Sequence, residues 1–312
     1  MTTPTPGRDG LRIENLSVRY PSGAHAVRRI SLHVAPGRTL ALVGESGCGK
    51  TTVAMAVLGL LPGTARVEGS IRLAEHEVVG ASEASLRRIR GLHVGLVAQD
   101  PMRSFDPLLS VGTSVREAWR VHGRRPVRDG VATTLGELGI PEPRRRLRHR
   151  PHQWSGGMLQ RAAIAAAGAH TPALIVADEP TSALDADRAD AVLNALRATG
   201  AGVLLISHDL ELVARHSDEV SVMYAGTIVE HGEAAKVLAA PRHPYASALL
   251  AATPRPGAGL PVPLPGAPPG LDVEPAGCAF APRCPLAGED CAENQPPLHH
   301  DVACHRVNGR AA

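Results

Sequence analysis

The eight residues GESGCGKT, Gly44 to Thr51, constrain this chain more than any other stretch. They follow a short continuous apolar run, TLALV (39–43), and lead into TTVAMAVLGLL, which reads as a helix. A Gly-rich loop between a buried strand and a helix fits the G-x-x-x-x-G-K-[ST] pattern in the strand–loop–helix context that gives the pattern meaning. Its backbone N–H groups, turned inward by the glycines, make an anion nest where the helix dipole adds positive potential. The sequence thus assigns Gly44, Glu45, Ser46, Gly47, Cys48, Gly49, Lys50, Thr51 and Thr52 to phosphate binding, with Lys50 reaching the β and γ phosphates and Thr51 on Mg²⁺. Of the 33 basic residues only Lys50 and Lys236 are lysine, so a lysine retained at this place invites a chemical reason.

A strand of this kind implies a parallel sheet, and the rest of the chain supplies one. ALIVA (173–177) and VLLI (203–206) are apolar runs of the sort buried on both faces, with DADRADAVLNALRATG between them as the crossover helix ending at Gly200. LRIENLSVRY and AVRRISLHV alternate apolar and polar residues around PSGAH, which predicts two antiparallel strands. A helical subdomain is expected over about 104–168, a strand pair over 219–232 and short helices over 233–251. TPRPGAGLPVPLPGAPPG then reads as a Pro/Gly-rich linker. The expected fold is therefore α/β, with an N-terminal antiparallel β-subdomain, an inserted helical subdomain and a small cysteine-bearing extension. Its divisions are a flexible N-terminus at 1–10, a main domain at 11–251, a linker at 252–275 and the extension at 276–312.

At the end of ALIVA stand Asp178 and Glu179, where a parallel strand delivers side chains toward the ligand crevice. Asp178 is expected to hold Mg²⁺ through water, and Glu179 to act as general base on the attacking water. Further motifs follow in a definite order: Gln99 after a strand, WSGGMLQR (Trp154 to Arg161), SALD (Ser182 to Asp185) and ISHD with His208. With these in place, residues 10–251 resemble the nucleotide-binding subunits of ABC transporters, which have a P-loop NTPase core of ABC type.

The resemblance implies that two such subunits sandwich two ATP molecules, with Ser155, Gly156 and Gly157 of one facing the γ phosphate held by the other. Small residues at a helix start suit that task, because they allow close backbone approach and offer N–H donors. It also implies that Gln99 senses Mg²⁺ and the attacking water, that His208 contacts the γ phosphate, and that Asp185 supports the dimer in trans. Tyr20 falls where the family places an aromatic on the adenine. Trp154 departs from the family's usual Leu at the start of the signature, while the Ser-Gly-Gly that follows is intact.

Cys278, Cys284, Cys291 and Cys304 lie near the end of the chain, whereas Cys48 is alone in the phosphate loop. Four thiols in a short cytosolic segment suggest metal binding over disulfides, although the spacing lacks the paired C-x-x-C of common zinc modules. HPYASALLAATPRP and the cysteine segment resemble the C-terminal extension of oligopeptide, dipeptide and nickel importer ATPases. That resemblance implies a [4Fe–4S] cluster on the four cysteines, with Zn²⁺ as the alternative and His299, His300 and His305 as spare ligands. It further implies ATP and Mg²⁺ as cofactors, a second ATPase subunit in a heterodimer, two transmembrane permease subunits and, indirectly, an extracytoplasmic solute-binding protein.

A formal net charge of +3 gives no electrostatic footprint for nucleic acid, and the Arg144–Arg150 cluster reads as a solvated helix end. The start MTTPTPGRDG lacks the apolar run of a signal peptide, and no apolar stretch is long enough to span a bilayer. The expected place is the cytoplasmic face of the membrane, reached through partner subunits. Peptide import is the leading expectation. Import of nickel or a metal chelate is the runner-up, and a soluble ABC ATPase of DNA repair or translation is the alternative of another class.

Overall fold

The computed structural model describes residues 10–182, 184–254 and 260–308. The expected flexible stretch up to residue 9, Ala183 within SALD, 255–259 of the Pro/Gly-rich stretch and 309–312 lie outside the described residues. In chain order the first half holds strands β1 (Leu11–Arg19), β2 (His25–Val34) and β3 (Thr39–Val43), helix α1 (Lys50–Val57), β4 (Arg66–Leu73), β5 (His76–Glu77), α2 (Glu83–Ile89) and β6 (Val94–Val97). Helices α3 (Val111–Arg120), α4 (Gly130–Glu137), α5 (Pro143–Arg146) and α6 (Gly156–Ala167) follow. Then come β7 (Leu174–Asp178), α7 (Ala186–Ala198), β8 (Gly202–Ile206), α8 (Leu210–His216), β9 (Glu219–Tyr224), β10 (Thr227–Glu233), α9 (Ala234–Ala239) and α10 (Pro244–Ala251). Two short helical turns, α11 (Glu289–Glu293) and α12 (His305–Asn308), lie in the tail. No helix among the described residues is long and apolar enough to cross a membrane.

The chain divides into two compact units. The first is built mainly from residues 72–205, with 34–39 and the start of β1. Its strands lie in the order β8, β7, β6, and β7 runs parallel to β6 with Val94 opposite Leu174 and Val97 opposite Ala177. Leu174, Ile175, Val176 and Ala177 are fully buried, as a strand covered on both faces requires. The helices α3, α4 and α6 close over a second core of Val111, Val115, Leu135, Leu147, Trp154 and Leu159. Side chains stop these helices at defined starts: the Ser110 hydroxyl accepts the Thr113 N–H, the Ser155 hydroxyl the Met158 N–H and the Asp185 carboxylate the Arg188 N–H.

The second unit comprises 12–33, 40–71 and 206–312. Here β10, β9 and β3 are neighbours, β3 parallel to β9 and β10 antiparallel to it with a bulge between Ile228 and Glu230. Strands β2, β1 and β4 form the edge sheet. The stretch expected to be a linker is held down at its far end. Backbone carbonyls in a Pro-rich segment have few N–H partners of their own, and here they find donors on β2: the His25 N–H donates to Leu271 O at 2.7 Å and Arg28 Nη2 to Val273 O at 2.8 Å. Arg19 adds an ion pair to Glu274 at 3.0 Å. The tail continues against β10, where the Val229 carbonyl accepts the Ala303 N–H and the Asp301 carbonyl accepts the His231 N–H.

Candidate functional site

In the second unit β3 delivers the chain directly into the phosphate loop. Gly44 and Gly49 have φ of 154° and 112°, and a Cβ on either would collide with a neighbouring carbonyl oxygen, that of Met223 or of Ala26. Only glycine lets the loop pass so close to the adjacent backbone. Helix α1 then opens on Gly49 with no side-chain cap, so its first N–H groups are left for a ligand. Lys50 is buried, and its ammonium donates to Gly44 O at 2.8 Å and Glu45 O at 2.9 Å, spanning the loop. Thr51 and Thr52 occupy the first turn, and the Tyr20 hydroxyl lies 3.3 Å from Thr52 Oγ1, which brings the predicted adenine-side aromatic to the start of the same helix. Cys48 is a buried thiol whose pKa is pushed up by desolvation. Beyond Ile206, Ser207 is buried and accepts the Asp209 N–H, leaving His208 exposed at the strand's end.

In the first unit the strand ends of β6 and β7 bring two further predicted residues together. Gln99 Nε2 donates to Glu179 Oε2 at 2.9 Å. Gln160, from α6, fastens the end of β6 by donating to Ala98 O at 3.1 Å. Asp178 is the last residue of β7, and Glu179 turns away from it with φ of 46°. A non-glycine residue in the left-handed region carries local strain of about 1–3 kcal/mol, of the kind that clusters at functional sites. Asp178 and Gln99 offer hard oxygen donors, the chemistry that Mg²⁺ selects.

The signature segment begins with Trp154, buried in the helical core with its indole N–H unpartnered, and Ser155 then caps α6. A Cβ on Gly156 or Gly157 would meet its nearest neighbours, Leu184 and Arg188, at 3.6–3.8 Å, which is ordinary contact. Among the described residues no neighbour demands glycine here. Asp185, besides capping α7, pairs with Arg188 at 3.2 Å.

The metal site expected on Cys278, Cys284, Cys291 and Cys304 is not met: among the described residues no group of three or more His, Cys, Asp or Glu is arranged to hold a metal ion. The four thiols do share one small module, where the Cys278 N–H donates to Cys291 O at 2.8 Å. Burial raises the pKa of the Cys278 and Cys284 thiols, and neighbouring cysteines push them the same way. What organises the module instead is Arg283. Its guanidinium forms a two-pronged pair with Glu45 in the phosphate loop, at 2.8 and 3.0 Å, and donates to the Tyr224 hydroxyl at 3.1 Å. Tyr245 joins from α10, its hydroxyl accepting the Glu45 N–H at 2.8 Å. The motif spacing does not predict Arg283, Tyr224 or Tyr245 as neighbours of the loop. Their only sequence signal is that Tyr245 lies in HPY and Arg283 immediately precedes a cysteine.

Taken with the fold, this loop and these strand ends define a nucleotide-binding cassette, and comparison with known proteins agrees: the chain belongs to the ABC transporter family, whose pattern matches residues 27–182. A second pattern, the C-terminal region of oligopeptide/dipeptide transporters, matches 229–291 and narrows the likeness to that branch. The chain is 43% identical over 325 residues to the oligopeptide transport ATP-binding protein OppD of Mycobacterium tuberculosis, covering 97% of this chain but 53% of that protein. It thus spans about half the length of its mycobacterial relatives. The dipeptide transport ATP-binding protein DppD of Bacillus subtilis is 41% identical over 313 residues, covering 96% and 93%. Among solved structures, the ATP-binding cassette MJ0796, a dimer bound to ADP and Pi, superposes with a TM-score of 0.62 at 25% identity over 72% of this chain and 98% of that one. CbiO1 of Clostridium perfringens gives 0.63 at 26% identity over 73% and 90%.

Proposed function

We propose that this chain is an ATP-binding and ATP-hydrolysing subunit that energises import of peptides. The observation that carries the reading is the phosphate loop: a helix start left without a side-chain cap, a loop closed by a buried lysine, and glycines packed against neighbouring carbonyls. Lys50 and the loop N–H groups bind the phosphates. Thr51 and Asp178 would hold Mg²⁺ with Gln99 alongside, and a cation there would supply positive charge to offset that of the triphosphate. Glu179, oriented by Gln99, takes a proton from water as the water oxygen bonds to the γ phosphorus and the bond to the β–γ bridging oxygen breaks, releasing ADP and phosphate. His208 contacts the γ phosphate, and Tyr20 stacks on the adenine.

Ser155, Gly156 and Gly157 act on the nucleotide of a second ATPase subunit, with Asp185 supporting that contact. The support is that, among the described residues, no neighbour requires the glycines. A heterodimer of ATPases, two permease subunits, a solute-binding protein and a place at the cytoplasmic face of the membrane complete the proposal. It rests on the named relatives and on the match to the peptide-transporter C-terminal region. No step uses a metal in the cysteine module.

The test is Mg²⁺-dependent ATP hydrolysis by the chain reconstituted with its second ATPase subunit and permeases in vesicles, with labelled di- and oligopeptides or radioactive nickel offered through the binding protein. Peptide-stimulated hydrolysis with peptide accumulation is expected. Hydrolysis stimulated by nickel and indifferent to peptide would overturn the substrate, and absence of hydrolysis would overturn the motor.

A further inference from the structure

We propose that Arg283, carried by the C-terminal module, is a positioning residue for the phosphate loop: it neutralises and tethers Glu45, so that the module forms part of the nucleotide site. This rests on the nucleotide reading given above. Glu45 poses an electrostatic difficulty, since it places a carboxylate within a loop shaped to receive a polyanion. Left unpaired it would repel the triphosphate.

The structure answers that repulsion from the far end of the chain. Both guanidinium Nη atoms meet both Glu45 oxygens, the bidentate geometry in which arginine pairs most strongly. The Arg283 side chain is only 5% exposed and that of Glu45 24%, so the pair is weakly screened by solvent. The guanidinium is itself fixed on every side: Nε donates to Pro265 O at 2.7 Å, Nη1 to the Tyr224 hydroxyl, and its carbon lies 5.8 Å and 5.9 Å from the ring centres of Tyr224 and Phe280. Tyr245 holds the backbone of the same glutamate. Glu45 is thus gripped at its N–H and at its carboxylate by residues 200 and 238 positions downstream.

A plain staple fastening the tail to the core would use the same contacts, and the two roles differ in sign. If the pair only fastens the tail, removing either partner loosens the loop and weakens nucleotide binding alike. If Arg283 cancels the charge of Glu45, the two single variants move affinity in opposite directions and the double variant recovers it. Removing one partner of a buried pair leaves the other charge uncompensated, and here only one of the two leftovers repels ATP.

The experiment is equilibrium titration of the full-length chain with a fluorescent ATP analogue and Mg²⁺, with a thermal melt of each variant as the folding control. R283M is expected to bind about tenfold more weakly, as a like charge a few ångströms from the phosphates at intermediate dielectric predicts, and less so at high salt. E45Q is expected to bind severalfold more tightly, because Arg283 is then free to attract the nucleotide, and E45Q/R283M to recover to within about threefold of the parent. Equal weakening in both single variants, with no recovery in the double, overturns the proposal. If R283M fails to fold, E45Q decides alone, since weaker binding there contradicts charge cancellation. Failure of the parent chain to bind the analogue is a separate result that removes the nucleotide reading and this inference with it.

Discussion

Glu179 shows how much one position can be asked to do. Its backbone sits in the left-handed region, and its carboxylate accepts a hydrogen bond from Gln99 at 2.9 Å. A glutamine at this place keeps the size and loses the basicity. Glu179→Gln is therefore expected to lower ATP turnover by about 100-fold or more, the range that general-base removal commands, while the fluorescent analogue still binds. Retention of more than a tenth of the parent turnover would assign the base elsewhere. The candidate residues were legible because motif and strand end coincide: ALIVA predicts a strand, and β7 carries Asp178 as its final residue. The Gln99 contact was not legible as a distance, since it depends on two parallel strands ending in register, Val97 opposite Ala177.

At the level of elements, the start of α6 separates stability from activity. Ser155 is a conventional N-cap, so Ser155→Ala is expected to cost about 1 kcal/mol of stability, read by chemical denaturation. Gly157 behaves differently. A Cβ there meets nothing closer than 3.6 Å, and alanine is the better helix former by about 1 kcal/mol. Gly157→Ala is thus expected to melt at the parent temperature or slightly above it, yet to lose ATP-driven pairing with the second ATPase subunit, seen by sedimentation with hydrolysis blocked. Unimpaired pairing would show that this helix start faces no nucleotide. The sequence placed most elements well, TLALV forming β3 at the predicted residues, because continuous apolar runs bounded by loop residues leave a buried strand little alternative. What holds the end of the Pro/Gly-rich stretch was not legible, because the donors, Arg28 and the His25 N–H, lie more than two hundred residues away.

Across the whole molecule, the C-terminal third is tied into the second unit through buried polar groups that carry a pH dependence. His243 is fully buried, accepts the Tyr245 N–H on Nδ1, and has its pKa lowered to about 4 by desolvation. Above pH 6.5 the imidazole is neutral whether the chain is folded or not. Below it the unfolded chain takes up a proton that the folded one refuses until about pH 4, so folding stability falls as the pH drops through that window. The loss is about 2 kcal/mol by pH 5. Glu230, raised by burial, works in the opposite direction in both proteins, so comparing His243→Asn with the parent isolates the histidine. The melting temperature of the parent should fall more between pH 7 and 5 than that of the variant, and equal slopes would refute the assignment. The two tryptophans of the chain add an optical consequence. Trp119 and Trp154 both belong to the helical core of the first unit, so excitation of indole fluorescence reports on that region while the phosphate loop and the tail stay dark. With Trp119 replaced by Phe, a single emitter remains, directly ahead of Ser155, and the light it gives off becomes a built-in gauge of what happens at the start of α6 when nucleotide arrives.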